Sequence, residues 1–303
     1  MGSVLSDDGA GGSPGSVVGR IFIVGANKAG TTSLHRYLDQ HPGFFMSHPK
    51  EPLVLARPVI DLPDGEAPSH TVRSEAAYAA LFADARSDQI LGESSTAYLT
   101  SELASTRIAE RWPDALVVAV LRDPAARAFS EFRMRVDDGT ESLTDFDAAL
   151  DAALVGERPY LRHSRYVDDV VRWRAALGVE RTRFFRFEDL TADPAAVLAE
   201  IVACTGADAS FTFDVDTRFN TAEGRIAPAP ARPALARHAR RFARSVVPAG
   251  TRAALRRRRA ARERAALPTI TPAQRARVVA HCTADTEALE ALLDLDLAAW
   301  RTV

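Results

Sequence analysis

Lysine is almost missing from this chain of 303 residues: Lys28 and Lys50 are the only two, and the other 36 of its 38 cations are arginine. Such scarcity is what a GC-rich coding background produces, with arginine replacing any cation whose only task is charge. A compact ammonium and a planar guanidinium are not interchangeable at a reacting centre, so the two survivors point to function. Cysteine is nearly missing too. Cys204 and Cys282 make no disulfide framework and neither has a partner at metal-ligand spacing, which predicts two reduced, small apolar residues. No apolar run approaches membrane-spanning length, and the N-terminus lacks the basic start and apolar stretch of a secretory signal. A cytoplasmic location is expected. The net charge of −2 argues against a protein built to coat nucleic acid.

What is present describes a globular chain. Hydrophobic residues make up 47% and charged residues 26%, enough for a sizeable buried core. Residues 1–19 are rich in Gly, Ser and Asp and read as a disordered leader, followed by a single domain over 20–303. Apolar runs at Arg20–Gly25, Gln89–Gly92, Ala115–Leu121 and Thr182–Phe187 read as strands. Helical patterns follow at Thr31–Gln40, Arg165–Leu177 and Pro272–Leu293, giving a helical C-terminal part. Strands alternating with helices predict a three-layer α/β/α architecture around a parallel sheet. Between Arg237 and Arg264 lie eleven arginines and one acid, Glu263. This basic insertion, 235–266, reads as a solvated helix, a lid over an anionic ligand, or a peripheral contact with an anionic lipid surface.

Gly25-Ala26-Asn27-Lys28-Ala29-Gly30-Thr31-Thr32-Ser33 joins the first strand to the first helix with the spacing G-x-x-x-x-G. Glycines let backbone N–H groups converge on a phosphate, and a helix N-terminus adds its dipole and donors. Thr31, Thr32 and Ser33 contribute hydroxyls. The order strand, turn, helix is the context a phosphate loop requires. A nucleoside-triphosphatase loop ends in G-K-[ST], with the lysine on the phosphates and the hydroxyl on Mg²⁺. Here Thr31 follows Gly30, and the lysine stands at position 28. The third strand also runs into Leu121-Arg122-Asp123-Pro124, a cation where a metal-binding aspartate would be expected. This combination predicts a nucleotide donor handled without a metal. A P-loop nucleotide kinase or phosphotransferase remains the alternative, as does a non-catalytic nucleotide-binding module docked on a membrane.

At these residues the chain resembles the sulfotransferases that use 3′-phosphoadenosine 5′-phosphosulfate (PAPS). Lys28-Ala29-Gly30-Thr31-Thr32-Ser33 looks like their 5′-phosphosulfate loop. The stretch Leu121–Ser130 resembles their 3′-phosphate motif, with Arg122 and Ser130 at the two gripping positions. Phe187-Glu188-Asp189-Leu190, followed by Asp193-Pro194, and the terminal Trp300 are similar to family segments, so the likeness runs from about residue 20 to 303. It implies a P-loop-like sulfotransferase fold, PAPS as co-substrate, PAP (3′-phosphoadenosine 5′-phosphate) as product, and no metal. It also implies that Tyr166 lies near a nucleotide phosphate, although a core tyrosine fits as well. Gly224 and Arg225 would belong to a loop closing over the nucleotide.

His48-Pro49-Lys50-Glu51-Pro52 is similar to the Lys-Glu-Pro-like signature of heparan-sulfate-type and bacterial carbohydrate sulfotransferases. The resemblance makes Glu51 the base that takes the acceptor proton, with His48 as the competing base. Lys28 would stabilise the oxygen of the departing nucleotide. Three family features are missing. The closing loop has no lysine, Met134 stands near a position where many relatives carry histidine, and Ser94 follows Glu93 where relatives often have lysine. Loss of that last cation implies an acceptor less anionic than a glycosaminoglycan: a hydroxyl of a small molecule, a glycolipid or a carbohydrate.

Overall fold

Five apolar stretches become one parallel sheet. β1 (Arg20–Gly25), β2 (Phe44–Met46), β3 (Ile90–Ser94), β4 (Leu116–Leu121) and β5 (Thr182–Arg186) pair in the order β2-β3-β1-β4-β5. The computed structural model describes residues 18–56, 72, 74–137, 139–216 and 269–303. Most of the leader, the whole basic segment 235–266, and Gly224 and Arg225 lie outside the described residues. A sheet covered on both faces needs strands without a polar side, and all six residues of β4 and five of six in β1 are buried.

The helices are α1 (Thr31–Leu38), α2 (Glu75–Ala80), α3 (Glu102–Arg111), α4 (Pro124–Asp137), α5 (Phe146–Leu154), α6 (Val167–Leu177), α7 (Phe187–Ala192), α8 (Pro194–Thr205) and α9 (Pro272–Leu293). They pack in two groups, α1 and α7 against α8, and α3 with α6 and α9 with α6 and α4. The α/β architecture expected from the sequence is the one observed. The strand bounds need correction: the third expected strand begins at Leu116 rather than Ala115, and the fourth stops at Arg186, with Phe187 opening α7. β2 was absent from the expected set because three residues carry no periodicity. The second expected strand begins at Ile90 rather than Gln89 and continues through Glu93 and Ser94.

Several helix starts follow from local chemistry. Ser74, Ser101, Asp145 and Asp193 each accept a hydrogen bond from the backbone three residues on, satisfying an orphan donor of the first turn. Thr271 and Gln274 form a capping box at α9, with Pro272 as the first helical residue. Asp193-Pro194 is thus the cap and first residue of α8.

Under α4 lies a buried ion pair the sequence did not announce. The Arg127 guanidinium donates to Glu131 Oε2 (2.8 Å), Ser164 Oγ (2.8 Å) and the Tyr160 carbonyl (2.6 Å). Glu131 also accepts from Arg135 Nε at 2.9 Å. Burial alone would raise the Glu131 pKa, but the His163 hydrogen bond and the charge and hydrogen bond of Arg127 outweigh it and hold the carboxyl well below its ordinary value. Its stabilising contribution is therefore complete above the unfolded pKa of about 4.3 and is lost as pH falls through the depressed folded value. Glu131→Gln leaves Arg127 buried without a counter-charge and is expected to cost about 3–5 kcal/mol in urea unfolding at neutral pH. A variant as stable as the parent would mean that Ser164 and the Tyr160 carbonyl satisfy Arg127 on their own.

Candidate active site

All five strands point the same way, so the segments that leave their C-terminal ends gather along one edge of the sheet. These are the loop 25–33 after β1, residues 47–56 after β2, 95–98 after β3, Arg122 after β4 and Phe187 after β5. In open parallel sheets this edge is where ligands bind.

The loop after β1 is anchored to the neighbouring strand by Ala26 N–H, which donates to the Val120 carbonyl at 2.7 Å. Lys28 (φ 72°) and Gly30 (φ 81°) both turn left-handed. Gly30 is also confined: a Cβ there would lie 3.1 Å from Leu190 Cδ2 and from Phe187 Cε2. The loop therefore rests on α7, which gives the Phe187–Leu190 motif a physical role. α1 starts directly after Gly30 with no side-chain cap and no acid in its first turn. An uncapped N-terminus free of acids suits an anion.

Arg122 joins two of the expected motifs. Its Nη1 donates to the Lys28 carbonyl at 2.8 Å, and its guanidinium carbon sits 4.5 Å from the centre of the Phe187 ring. Burial lowers its pKa, an effect opposed by the charges around it, yet an arginine stays charged. Ser130 lies in the second turn of α4, half-buried. Tyr166 is buried, donates through its hydroxyl to the Arg122 carbonyl at 2.9 Å, and packs 6.3 Å from Trp300. Its own N–H is held by Asp285 of α9 at 2.7 Å. Asp123 caps α4 through Ala126 N–H and takes a two-pronged ion pair from Arg275 of α9, at 3.0 and 2.7 Å. Both α9 contacts hold the Arg122 segment in place.

Glu51 sits across the sheet edge in an unusual backbone. Glu51 (φ 65°) and Leu53 (φ 62°) are both left-handed without being glycine, a conformation that persists only where its surroundings over-determine it. Glu51 N–H donates to the Ser94 carbonyl at 2.9 Å, and Glu51 Oε2 accepts from Thr96 N–H at 2.8 Å. Lys50 Nζ is ion-paired with Glu51 Oε1. The second lysine of the chain thus lies against the carboxylate that the sequence singled out. His48 is exposed: its Nε2 lies 3.2 Å from Asp39 Oδ2 and its ring meets that of His35 edge-on at 5.9 Å.

Two buried groups beside this loop, His35 and Glu93, had been given no role from the sequence. His35 of α1 contacts Ser94 Oγ through Nδ1 at 2.8 Å. Burial, then the charges of Lys50, His48 and Arg36, push its pKa down to about 3, so it is neutral at physiological pH. Its position one residue beyond Leu34, on the inner face of α1, was the available signal. Glu93 is fully enclosed, bonded by the hydroxyls of Tyr78 and, at 2.8 Å, Ser95.

Among the described residues, no group of three or more His, Cys, Asp or Glu side chains is arranged to hold a metal ion. No helix among them is long and apolar enough to cross a membrane. A family model described as "Sulfotransferase family" matches residues 20–210, more than half of the chain. The chain belongs to the sulfotransferase family. It is similar to a sulfotransferase from Alicyclobacillus acidocaldarius, at 27% identity and a TM-score of 0.68, over 93% of this chain and 98% of that one. A sulfotransferase domain from the curacin biosynthetic pathway is 18% identical with a TM-score of 0.47, covering 68% of this chain and 79% of its own. Mouse sulfotransferase SULT7A1 complexed with PAP is 19% identical with a TM-score of 0.44, covering 62% and 59%. No curated protein matches the chain.

Proposed function

We propose that this sulfotransferase takes PAPS as donor and transfers its sulfuryl group to a hydroxyl of a small molecule, a glycolipid or a carbohydrate by in-line displacement. The loop Lys28–Ser33 holds the 5′-phosphosulfate, and Arg122 with Ser130 holds the 3′-phosphate. Tyr166 keeps Arg122 in register through its backbone, and Gly224 and Arg225 belong to the loop over the nucleotide. The acceptor oxygen forms a bond to sulfur as the bond from sulfur to the bridging oxygen breaks. The electron pair stays on that oxygen, beside the Lys28 ammonium. Glu51 takes the acceptor proton, leaving PAP and a sulfated product. The observation that supports this most is the hydrogen bond from Arg122 to the Lys28 carbonyl. A cation suited to one phosphate group is tied to the residue suited to the other, as a donor phosphorylated at both ends requires. Ser94, hydrogen-bonded to His35 where relatives often carry lysine, favours an acceptor without dense negative charge.

Calorimetry with PAP and with ATP separates this reading from a P-loop kinase. PAP is expected to bind more tightly and without magnesium; tighter binding of Mg-ATP would overturn the proposal. In the same assay, Arg122→Ala is expected to weaken PAP roughly 10–100-fold, the worth of a charged hydrogen bond, with little change for adenosine 5′-phosphate. Equal weakening of both nucleotides would remove the 3′-phosphate role.

A further inference from the structure

Glu93 has no part in the chemistry above, yet it is a carboxyl enclosed at the end of β3, close behind the segment that carries Glu51. We propose that Glu93 is the positioning residue of the base, acting through hydroxyls that fix the backbone of residues 51–56. The proposal rests on the reading of Glu51 as the base.

An ionised carboxylate is acceptor-only, so each hydroxyl around it must turn its single proton inward. Tyr78 and Ser95 do so. Burial raises the Glu93 pKa, and its hydrogen bonds and the charge of Arg20 offset that shift only in part. With its proton committed to Glu93, the Ser95 oxygen presents only lone pairs to the loop. Ser95 Oγ accepts from Leu53 N–H at 3.2 Å, and Tyr98 Oη accepts from Leu55 N–H at 3.1 Å. Arg107 adds Nη1 contacts to the carbonyls of Val54 and Leu55 at 3.3 and 3.2 Å. The same turn supplies the Ser94 carbonyl and the Thr96 N–H that hold Glu51 itself.

The loop needs this support. Glu51 and Leu53 are both left-handed, a backbone strain that local bonds must offset. Replacing Glu93 by glutamine keeps the shape but introduces an amide donor. An amide facing Ser95 makes that hydroxyl the acceptor and turns its proton outward, towards the Leu53 N–H it formerly accepted from. The buried network becomes half-satisfied, and the Glu51 carboxylate loses its fixed approach to the acceptor.

The test combines kinetics with hydrogen exchange. Turnover is measured as PAP released from PAPS, with water and with octyl glucoside as acceptors. Glu93→Gln is expected to lower kcat about 10²-fold, the effect of an ångström-scale misplacement, while PAP affinity stays at the parent value. Amides of Leu53 and Leu55 should lose exchange protection, with β1 and β4 unaffected. In a Glu51→Gln background, Glu93→Gln should add almost nothing, because it acts through the group already removed. Losses that multiply in the double variant would overturn the proposal, and so would a folded Glu93→Gln enzyme with parental kcat. Should Glu93→Gln not fold, Ser95→Ala decides: it deletes both the acceptor for Leu53 N–H and the donor that ties it to Glu93, and unchanged kcat with unchanged exchange overturns the idea. If Glu51→Gln itself keeps parental turnover, the base assignment fails first, whatever Glu93 does. A collapse in Glu51→Gln with no effect of Glu93→Gln removes the positioning role alone.

Discussion

Glu51→Gln is expected to lower turnover by about 10²–10⁴-fold, the usual worth of a positioned general base, while PAP binding is unchanged. The substitution is close to a one-atom change. A glutamine oxygen can still accept from Thr96 N–H, now bonded to Glu51 Oε2 at 2.8 Å, so the side chain keeps its place. The backbone bond from Glu51 N–H to the Ser94 carbonyl is untouched. What disappears is the capacity to take a proton, together with the ion pair to Lys50. His48→Asn provides the contrast. Its imidazole is exposed and turned to Asp39, so turnover should hold at the parent level. Steady-state kinetics beside PAP calorimetry reads both variants. Full activity in Glu51→Gln would remove the base assignment, and a collapse in His48→Asn alone would transfer it to histidine.

The two sides of the sheet edge differ in how much the sequence disclosed. The loop after β1 was legible because its requirements are local: a buried strand, glycine at two fixed positions, and a helix that opens on hydroxyls. Arg122 was legible for the same reason, standing at the end of the most apolar run in the chain. The scarcity of lysine pointed to residues 28 and 50 without any structural model, and both stand in segments leaving the same edge. The loop that carries Glu51 was harder to see. Its left-handed residues are glutamate and leucine, not glycine, so composition gives no sign of the turn. The groups that enforce the turn, Ser95, Tyr98 and Arg107, are 42 to 53 residues away in sequence. β2, on which the loop is mounted, has three residues and no periodicity. Glu93 was visible as a letter beside Ser94, but its enclosure by Tyr78, Ser95 and Tyr98 arises only when α2 folds over the end of β3. Local rules announce a glycine-bounded turn from strand to helix, whereas a network of side chains closed by tertiary packing leaves no pattern along the chain.

For Lys28→Ala, the expected result is a loss in turnover of about 10²–10³-fold, the range for removing one group that stabilises charge developing in the transition state. PAP affinity should change far less. The backbone argues that the variant keeps its loop. Lys28 is left-handed at φ 72°, and alanine carries the same Cβ, so both residues pay a similar steric cost there. The carbonyl of residue 28 remains available to Arg122, which now holds it at 2.8 Å, and Gly30 still packs on Phe187 and Leu190. The loss should therefore fall on kcat, because the bridging oxygen is only weakly charged in bound PAPS and gains its charge as the bond to sulfur breaks. An interaction that strengthens only along that path lowers the barrier without tightening the ground state. Lys28→Arg should not restore the rate, since a planar fork cannot replace a point charge at one oxygen. Equal losses in PAP affinity and in kcat would make Lys28 a ground-state phosphate ligand instead, and the leaving-group role would then pass to the donors at the start of α1.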